Sequence, residues 1–200
     1  MSLAEQKARM RQQVLQKRDS MPESLRNELS LEICEKVASE LGNIDQGSSI
    51  AVYSPMKSEV NISRCIETFY RKRLIVAFPC MNKRGCTPRM SMRSVRENDW
   101  KSGICPFIEK PIKSFANDDR EVKNYPTLAP EELSAIIVPL VAFDDEFRRL
   151  GYGGGNYDEY LSFIPDLNRT RVIGVAYECQ RVQNIVTETH DLALPLIISA

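Results

Sequence analysis

The sequence predicts an α/β protein: a three-layer arrangement in which a mainly parallel sheet carries helices on both faces. Three observations support this. Short apolar runs recur at 49–53, 74–78, 135–143, 172–176 and 196–198, and within each nearly every residue is apolar, the pattern of strands buried on both sides. Segments with helical periodicity separate several of the runs, and that alternation places crossover helices on the faces of a parallel sheet. The chain has 200 residues and 42% hydrophobic content, enough for one sizeable core, so residues 1–200 are expected to form a single domain.

Taken in order, residues 3–19 read as a basic helix. Ser20-Met21-Pro22-Glu23 has the S-x-x-E form of a capping box with a proline in the first turn, and is expected to start a second helix. Leu25, Leu29, Ile33, Val37 and Leu41 recur every four residues and give that helix one apolar stripe, with Gly42 as its stop. The run 49–53 is a buried strand, 61–73 a helix, and 74–78 a strand ended by Pro79. Residues 90–95 form a third strand with Met90, Met92 and Ser94 on one face. Pro106, Pro111, Pro126 and Pro130 break up 96–131, which reads as a long irregular excursion. The run 135–143 is the strongest strand, a helix follows to about Phe163, and strands at 172–176 and 196–198 close the chain.

Composition excludes several partner classes. Lys plus Arg and Asp plus Glu both number 27, for a formal net charge of zero, so no global basic field recruits nucleic acid or an anionic membrane. No window reaches the roughly 18 apolar residues of a spanning helix, and the charged N-terminus lacks the apolar core of a signal peptide. The six cysteines form no C-x-x-C pair and His190 is the single histidine, which argues against a zinc site and for reduced, mostly buried thiols. A cytoplasmic monomer acting on a small molecule is the expectation.

The chemistry concentrates in Arg148-Arg149-Leu150-Gly151-Tyr152-Gly153-Gly154-Gly155-Asn156-Tyr157-Asp158, where four of the nine glycines fall within five residues. A strand, then glycines, then a helix start lets several amides converge on one anion, and the arginines offer planar forks to phosphate oxygens. Asp158 would repel a bare phosphate, a conflict that Mg²⁺ resolves by taking oxygens from both. No Gly-Lys dipeptide exists for a P-loop, and Asn156 occupies the third glycine position of a dinucleotide fingerprint. The alternative is a tight turn whose Asp158 only caps the helix.

The stretch from Val138 to Asp144 with Arg149-Leu150-Gly151-Tyr152-Gly153-Gly154-Gly155-Asn156-Tyr157-Asp158-Glu159-Tyr160-Leu161 resembles the signature of the 5-formyltetrahydrofolate cyclo-ligase (methenyltetrahydrofolate synthetase) family. Lys7-x-x-x-Arg11, the segment Ser54 to Val60, Ala176 to Gln180 and His190-Asp191 resemble further blocks of the same family. The chain departs from the family's pattern at Asn156, where an aromatic is usual, at Phe147, where glycine is common, and at Ile62, where threonine is frequent.

The resemblance implies an ATP- and Mg²⁺-dependent closure of 5-formyltetrahydrofolate to 5,10-methenyltetrahydrofolate. The formyl oxygen is phosphorylated by ATP, and the side-arm nitrogen then attacks and expels phosphate. It implies Arg149, Tyr157 and Lys7 as catalytic residues. ATP would lie against Lys7, Arg11, Arg149, Leu150, Gly151, Tyr152, Gly153, Gly154, Gly155, Asn156 and Tyr157. The reduced folate would meet Ser54, Glu59, Tyr152, Gly153, Gly154, Gly155 and Asn156, and Mg²⁺ would meet Asp158 and Asp191. Without the family, Lys7 and Arg11 read equally as a solvated helix face, Glu59 as a helix cap and Asp191 as a loop acid. Two other functions stay open on the residues alone: a folate- or nucleotide-binding module without turnover, and an isomerase or coenzyme A transferase on a related scaffold.

Overall fold

The computed structural model describes residues 2–166, 169–188 and 191–200. The helices are α1 (Leu3–Asp19), α2 (Glu23–Glu40), α3 (Ser63–Arg71), α4 (Glu97–Lys101), α5 (Pro106–Glu109) and α6 (Asn156–Ser162). The strands are β1 (Ser49–Ala51), β2 (Ile75–Asn82), β3 (Met90–Ser94), β4 (Ser114–Phe115), β5 (Thr127–Leu128), β6 (Leu133–Pro139), β7 (Ala142–Phe143), β8 (Arg149–Leu150), β9 (Arg171–Ala176) and β10 (Leu196–Ser199). The main sheet runs β10-β9-β6-β1-β2-β3-β5, with β4 also paired to β2. Its five central and left-hand strands are mutually parallel, and β3 alone runs against its two neighbours.

Period-two alternation divides the sheet's side chains between two cores. Ile50, Val52, Val76, Phe78, Ala135, Ile137, Ile173 and Val175 pack with Ile33, Cys34 and Val37 of α2 and Cys65, Ile66 and Phe69 of α3. Ala51, Ala77, Met92, Ile136, Val138, Val172 and Ala176 face the other way, onto Tyr160 and Leu161 of α6. Helices therefore cover both faces, as the apolar runs predict. A smaller cluster joins Val14 of α1 to Ala142, Leu150 and Ile185. Cys34, Cys65, Cys80 and Cys105 are buried, and no helix among the described residues is long and apolar enough to cross a membrane.

Several expectations need correction. The Ser20 box does not form: Ser20 closes α1, its hydroxyl donating 2.8 Å to the Lys17 carbonyl, and Pro22 caps α2 without a side-chain bond. Coming straight after the last turn of α1, Ser20 finds a free carbonyl before any free amide of α2. The capping box lies instead at Ser2 and Glu5. Leu25 of the expected stripe is exposed. Strand β2 passes through Pro79, because Val95 N–H bonds the Val76 carbonyl and Asn82 N–H the Arg89 carbonyl. That alternation makes Pro79–Met92 a non-hydrogen-bonded pair, so no ladder donor is missed. The excursion 96–131 contributes α4, α5, β4 and β5 rather than staying irregular.

The correction that matters most is at 135–143, which is two strands. Pro139 ends β6, and the Gln180 amide donates to the Leu140 and Val141 carbonyls at 2.7 and 3.0 Å, taking acceptors a longer ladder would use. The chain then enters the β7–β8 hairpin. The glycine run thus follows a hairpin, not the strand itself. Phe147 turns this hairpin with φ of +58°, a conformation costly for a bulky side chain.

In β9, Gly174 leaves no room for a side chain: a Cβ there would lie 2.7 Å from Leu194 and 3.0 Å from Leu140. Gly174→Ala is expected to destabilise the protein by about 1–3 kcal/mol through overpacking, read as a lower melting temperature in a thermal denaturation scan.

Candidate functional site

The loops after β1, β6 and β9 meet at the carboxyl ends of the parallel strands, where ligands gather in such sheets, and α1 lies across them. The glycine run forms the floor of one half. Gly153 and Gly155 adopt φ of +99° and +66°, which an L side chain rarely tolerates. The amide N–H groups of Gly153, Gly154 and Gly155 donate to nothing among the described residues. They are free to meet an anion. Helix α6 has only seven residues, so the amides and nearby cations supply that capacity, more than its dipole.

Arg149 is buried in β8, its Nη2 2.6 Å from Asp158 Oδ1 and its Nη1 donating to the Leu192 carbonyl. Burial pulls its pKa below the ordinary arginine value against the opposing charges of Asp158 and Asp191. Lys7 projects from α1 to Asp191 at 2.5 Å and Glu188 at 2.9 Å. Burial alone would lower its pKa, but these two carboxylates hold it above the usual lysine value. One turn on, Arg11 Nε donates 2.7 Å to the Gly151 carbonyl, and its guanidinium carbon lies 3.4 Å from where a Cβ on Gly153 would stand. Lys7 and Arg11 are therefore not a solvated face. Leu150, expected against ATP, packs its side chain with Val14, Ala142 and Ile185, and its carbonyl accepts from Val141 N–H at 2.8 Å within the hairpin.

Beside this floor opens a cleft of about 390 Å³ lined by Ser54, Lys57, Glu59, Arg26, Trp100 and Tyr177 among others. Glu59 is buried; its Oε2 accepts from Met56 N–H at 2.8 Å, while Oε1 has no hydrogen-bond partner among the described residues. Burial raises its pKa, opposed by the Met56 amide, Tyr152 and Arg18. Its carboxylate does not cap α3, where Ile62 stands without a side-chain bond. The Tyr157 hydroxyl is also buried and has no hydrogen-bond partner among the described residues, its pKa raised by burial and then by Glu59. Tyr152 accepts from Arg18 Nη2 at 2.8 Å. Asn156 begins α6 with its amide against Met81 sulfur at 3.8 Å.

A family model, the 5-formyltetrahydrofolate cyclo-ligase family, matches residues 3–200. The chain belongs to the 5-formyltetrahydrofolate cyclo-ligase family. A Haemophilus influenzae 5-formyltetrahydrofolate cyclo-ligase is 30% identical over 155 residues, 74% of each chain. The Mycoplasma pneumoniae cyclo-ligase is 27% identical over 190 residues, 95% of this chain and 96% of that one. The fold matches a solved 5,10-methenyltetrahydrofolate synthetase from Mycoplasma pneumoniae, with a TM-score of 0.73 at 23% identity, covering 96% of this chain and 97% of that one. It also matches the NMR structure of the Aquifex aeolicus 5,10-methenyltetrahydrofolate synthetase, with a TM-score of 0.70 at 24% identity and coverage of 96% and 89%.

The cyclo-ligase signature thus gathers Lys7, Arg11, Arg149, Asp158 and Asp191 around the glycines, with Ser54 and Glu59 in the adjoining cleft. Arg148 turns away, to Asp144 at 2.7 Å and Asn184 at 2.7 Å, so only one arginine of the pair serves the run. His190 lies outside the described residues. Arg18 went unnoticed in the sequence although it is only 1% exposed and continues the Lys7–Arg11 face at helical spacing. Among the described residues no group of three or more metal-ligating side chains converges. Two carboxylates suit Mg²⁺, which is commonly held by one or two of them together with phosphates and water.

Glu59 also yields a stability test. Its folded pKa lies above the unfolded one, so its charge opposes folding at neutral pH and stability rises as pH falls through that window. Glu59→Gln keeps the acceptor for Met56 and removes the charge. It should raise stability at neutral pH, with the difference in melting temperature from wild type shrinking as the pH is lowered.

Proposed function

We propose that this chain, as a single domain and a cytoplasmic monomer, closes 5-formyltetrahydrofolate to 5,10-methenyltetrahydrofolate with ATP and Mg²⁺. The observation that carries the reading is the junction of two half-sites. A glycine turn with free amides and converging cations lies against a cleft holding a buried carboxylate with one open oxygen.

The formyl oxygen is a poor leaving group until it is phosphorylated, so the protein's task is alignment and neutralisation of charge. The free amides of Gly153 to Gly155 seat the phosphates, and Lys7, Arg11 and Arg149 balance their charge. Asp158 and Asp191 would hold Mg²⁺, which supplies further charge neutralisation on the phosphate oxygens. On the folate side, Glu59 Oε1 accepts N–H groups of the pterin, a role its missing partner leaves open. Tyr157, half-buried with its hydroxyl shielded from solvent and within the electrostatic reach of Glu59 and Arg149, holds its proton and offers a hydroxyl donor where the two substrates would meet. Ser54 and the peptide groups of 152–156 complete the folate wall.

Mixing the protein with Mg²⁺-ATP and 5-formyltetrahydrofolate should give an ATP-dependent rise in near-ultraviolet absorbance from the methenyl product. Thermal stabilisation by ligands without such a rise would favour a binding module. Arg149→Ala and Asp158→Ala should each lower kcat by about 10²–10³, the usual cost of losing one charge-stabilising group, with the far-ultraviolet circular dichroism of the fold retained.

A further inference from the structure

One guanidinium at the glycine turn has no place in the assignments above. Arg89 arrives from the bend between β2 and β3, distant in sequence from the run. Its Nε donates 2.7 Å to Glu159 Oε2, its backbone N–H reaches the same oxygen at 3.2 Å, and its Nη1 donates 2.9 Å to the Gly154 carbonyl. Nη2 lies 3.3 Å from where a Cβ on Gly155 would stand. Arg11 makes the matching approach to Gly153 from α1. Two planar cations of separate origin thus bracket the glycines whose amides are free.

Stability gives little reason for this arrangement. The Arg89 side chain is 53% exposed and that of Glu159 23%, and ion pairs of that exposure contribute little to folding. Nor does a single carbonyl exhaust the fork: Nη2 has no acceptor among the described residues. Glu159 grips the Nε edge and so fixes the plane while the Nη edge stays over the turn. That is the edge a phosphate takes up in a two-point contact.

We infer that Arg89 is a phosphate-binding residue of the nucleotide seat, oriented by Glu159 and acting opposite Arg11. This rests on the reading of the glycine turn as the place of ATP. The Gly154 carbonyl stands in for a phosphate oxygen, and binding exchanges one acceptor for the other without moving the Glu159 pair.

The test compares wild type, Arg89→Gln and Arg89→Lys as full chains, by steady-state kinetics and by equilibrium titration with ATP. Arg89→Gln should weaken ATP binding and raise the KM for ATP about tenfold, or 1.4 kcal/mol, with the KM for folate and the melting temperature nearly unchanged. Arg89→Lys should recover part of the loss, since it restores charge but not the fork. Unchanged ATP affinity in Arg89→Gln overturns the inference, and so does a lowered melting temperature with both KM values rising alike, which marks a structural strap. If wild type binds ATP without turnover, the titration still decides the role of Arg89 while the proposed activity falls. If wild type binds no ATP, both fall.

Discussion

The functional site depends on the chain leaving the central sheet at Pro139 and being held outside it. Two buried polar residues impose that departure. Gln180, 1% exposed, takes the carbonyls of Leu140 and Val141. Asp144, also 1% exposed, accepts from Glu146 N–H, from Arg148 N–H and Nε, and from Ile185 N–H at 2.8 Å. Burial alone would raise the Asp144 pKa, but the Ile185 amide and Arg148 outweigh it and hold the carboxyl below its usual range. A buried charge so fully bonded costs little to keep and much to disturb. The hairpin it fixes delivers Arg149 and the glycines to the mouth of the sheet, so it matters to the site although neither residue lines it.

Charge at the site is arranged so that composition conceals it. The chain is neutral overall, with 27 residues of each sign, and most cations at the glycine turn are paired with carboxylates. Lys7 rests on Asp191 and Glu188, Arg149 on Asp158 and Arg89 on Glu159. Pairing solves a folding problem: several cations around a turn with no anion would repel one another and oppose closure of α1 over it. Some of the carboxylates that serve as partners are also those proposed to meet Mg²⁺, so on that reading the same ion pairs would exchange partners when phosphate arrived. Glu59 represents the opposite solution, a carboxylate left half-satisfied, with its stability cost borne by the surrounding core.

The sheet was legible because its strands are buried on both faces, which writes them as uninterrupted apolar runs. The glycines were legible because a positive φ restricts the residue. What stayed hidden is what pairwise contact decides. Nothing near Ser20 announces that its hydroxyl will turn back to Lys17, and Pro79 hides in β2 because a non-hydrogen-bonded pair asks nothing of its nitrogen. Whether 135–143 was one strand or two rested on Gln180, forty residues away. Lys7, Arg11, Val14 and Arg18 do share a helical face, and reading it as one stripe would have found Arg18. No local pattern would have found Arg89, whose partners Gly154 and Glu159 lie beyond six intervening strands in the sequence order.

Helix α1 makes the coupling of fold and function explicit. It has little apolar surface to bury: Val14 is the apolar member of its buried set, with Lys7 and Arg18 as the others. Lys7 is anchored at the C-terminal segment, Arg11 at the Gly151 carbonyl, and Arg18 at Tyr152 and Ser58. Each anchor is part of the site or touches it. The helix that closes the site is thus held mainly by the site, through polar contacts that lose strength when any partner moves. Ligands that gave Lys7 and Arg11 stronger acceptors would add to the same attachment, so on the proposed reading α1 and the substrates would stabilise one another by ordinary linkage. A helix docked through an apolar stripe would sit equally well on an empty site; one docked through Lys7, Arg11 and Arg18 responds to what the site contains.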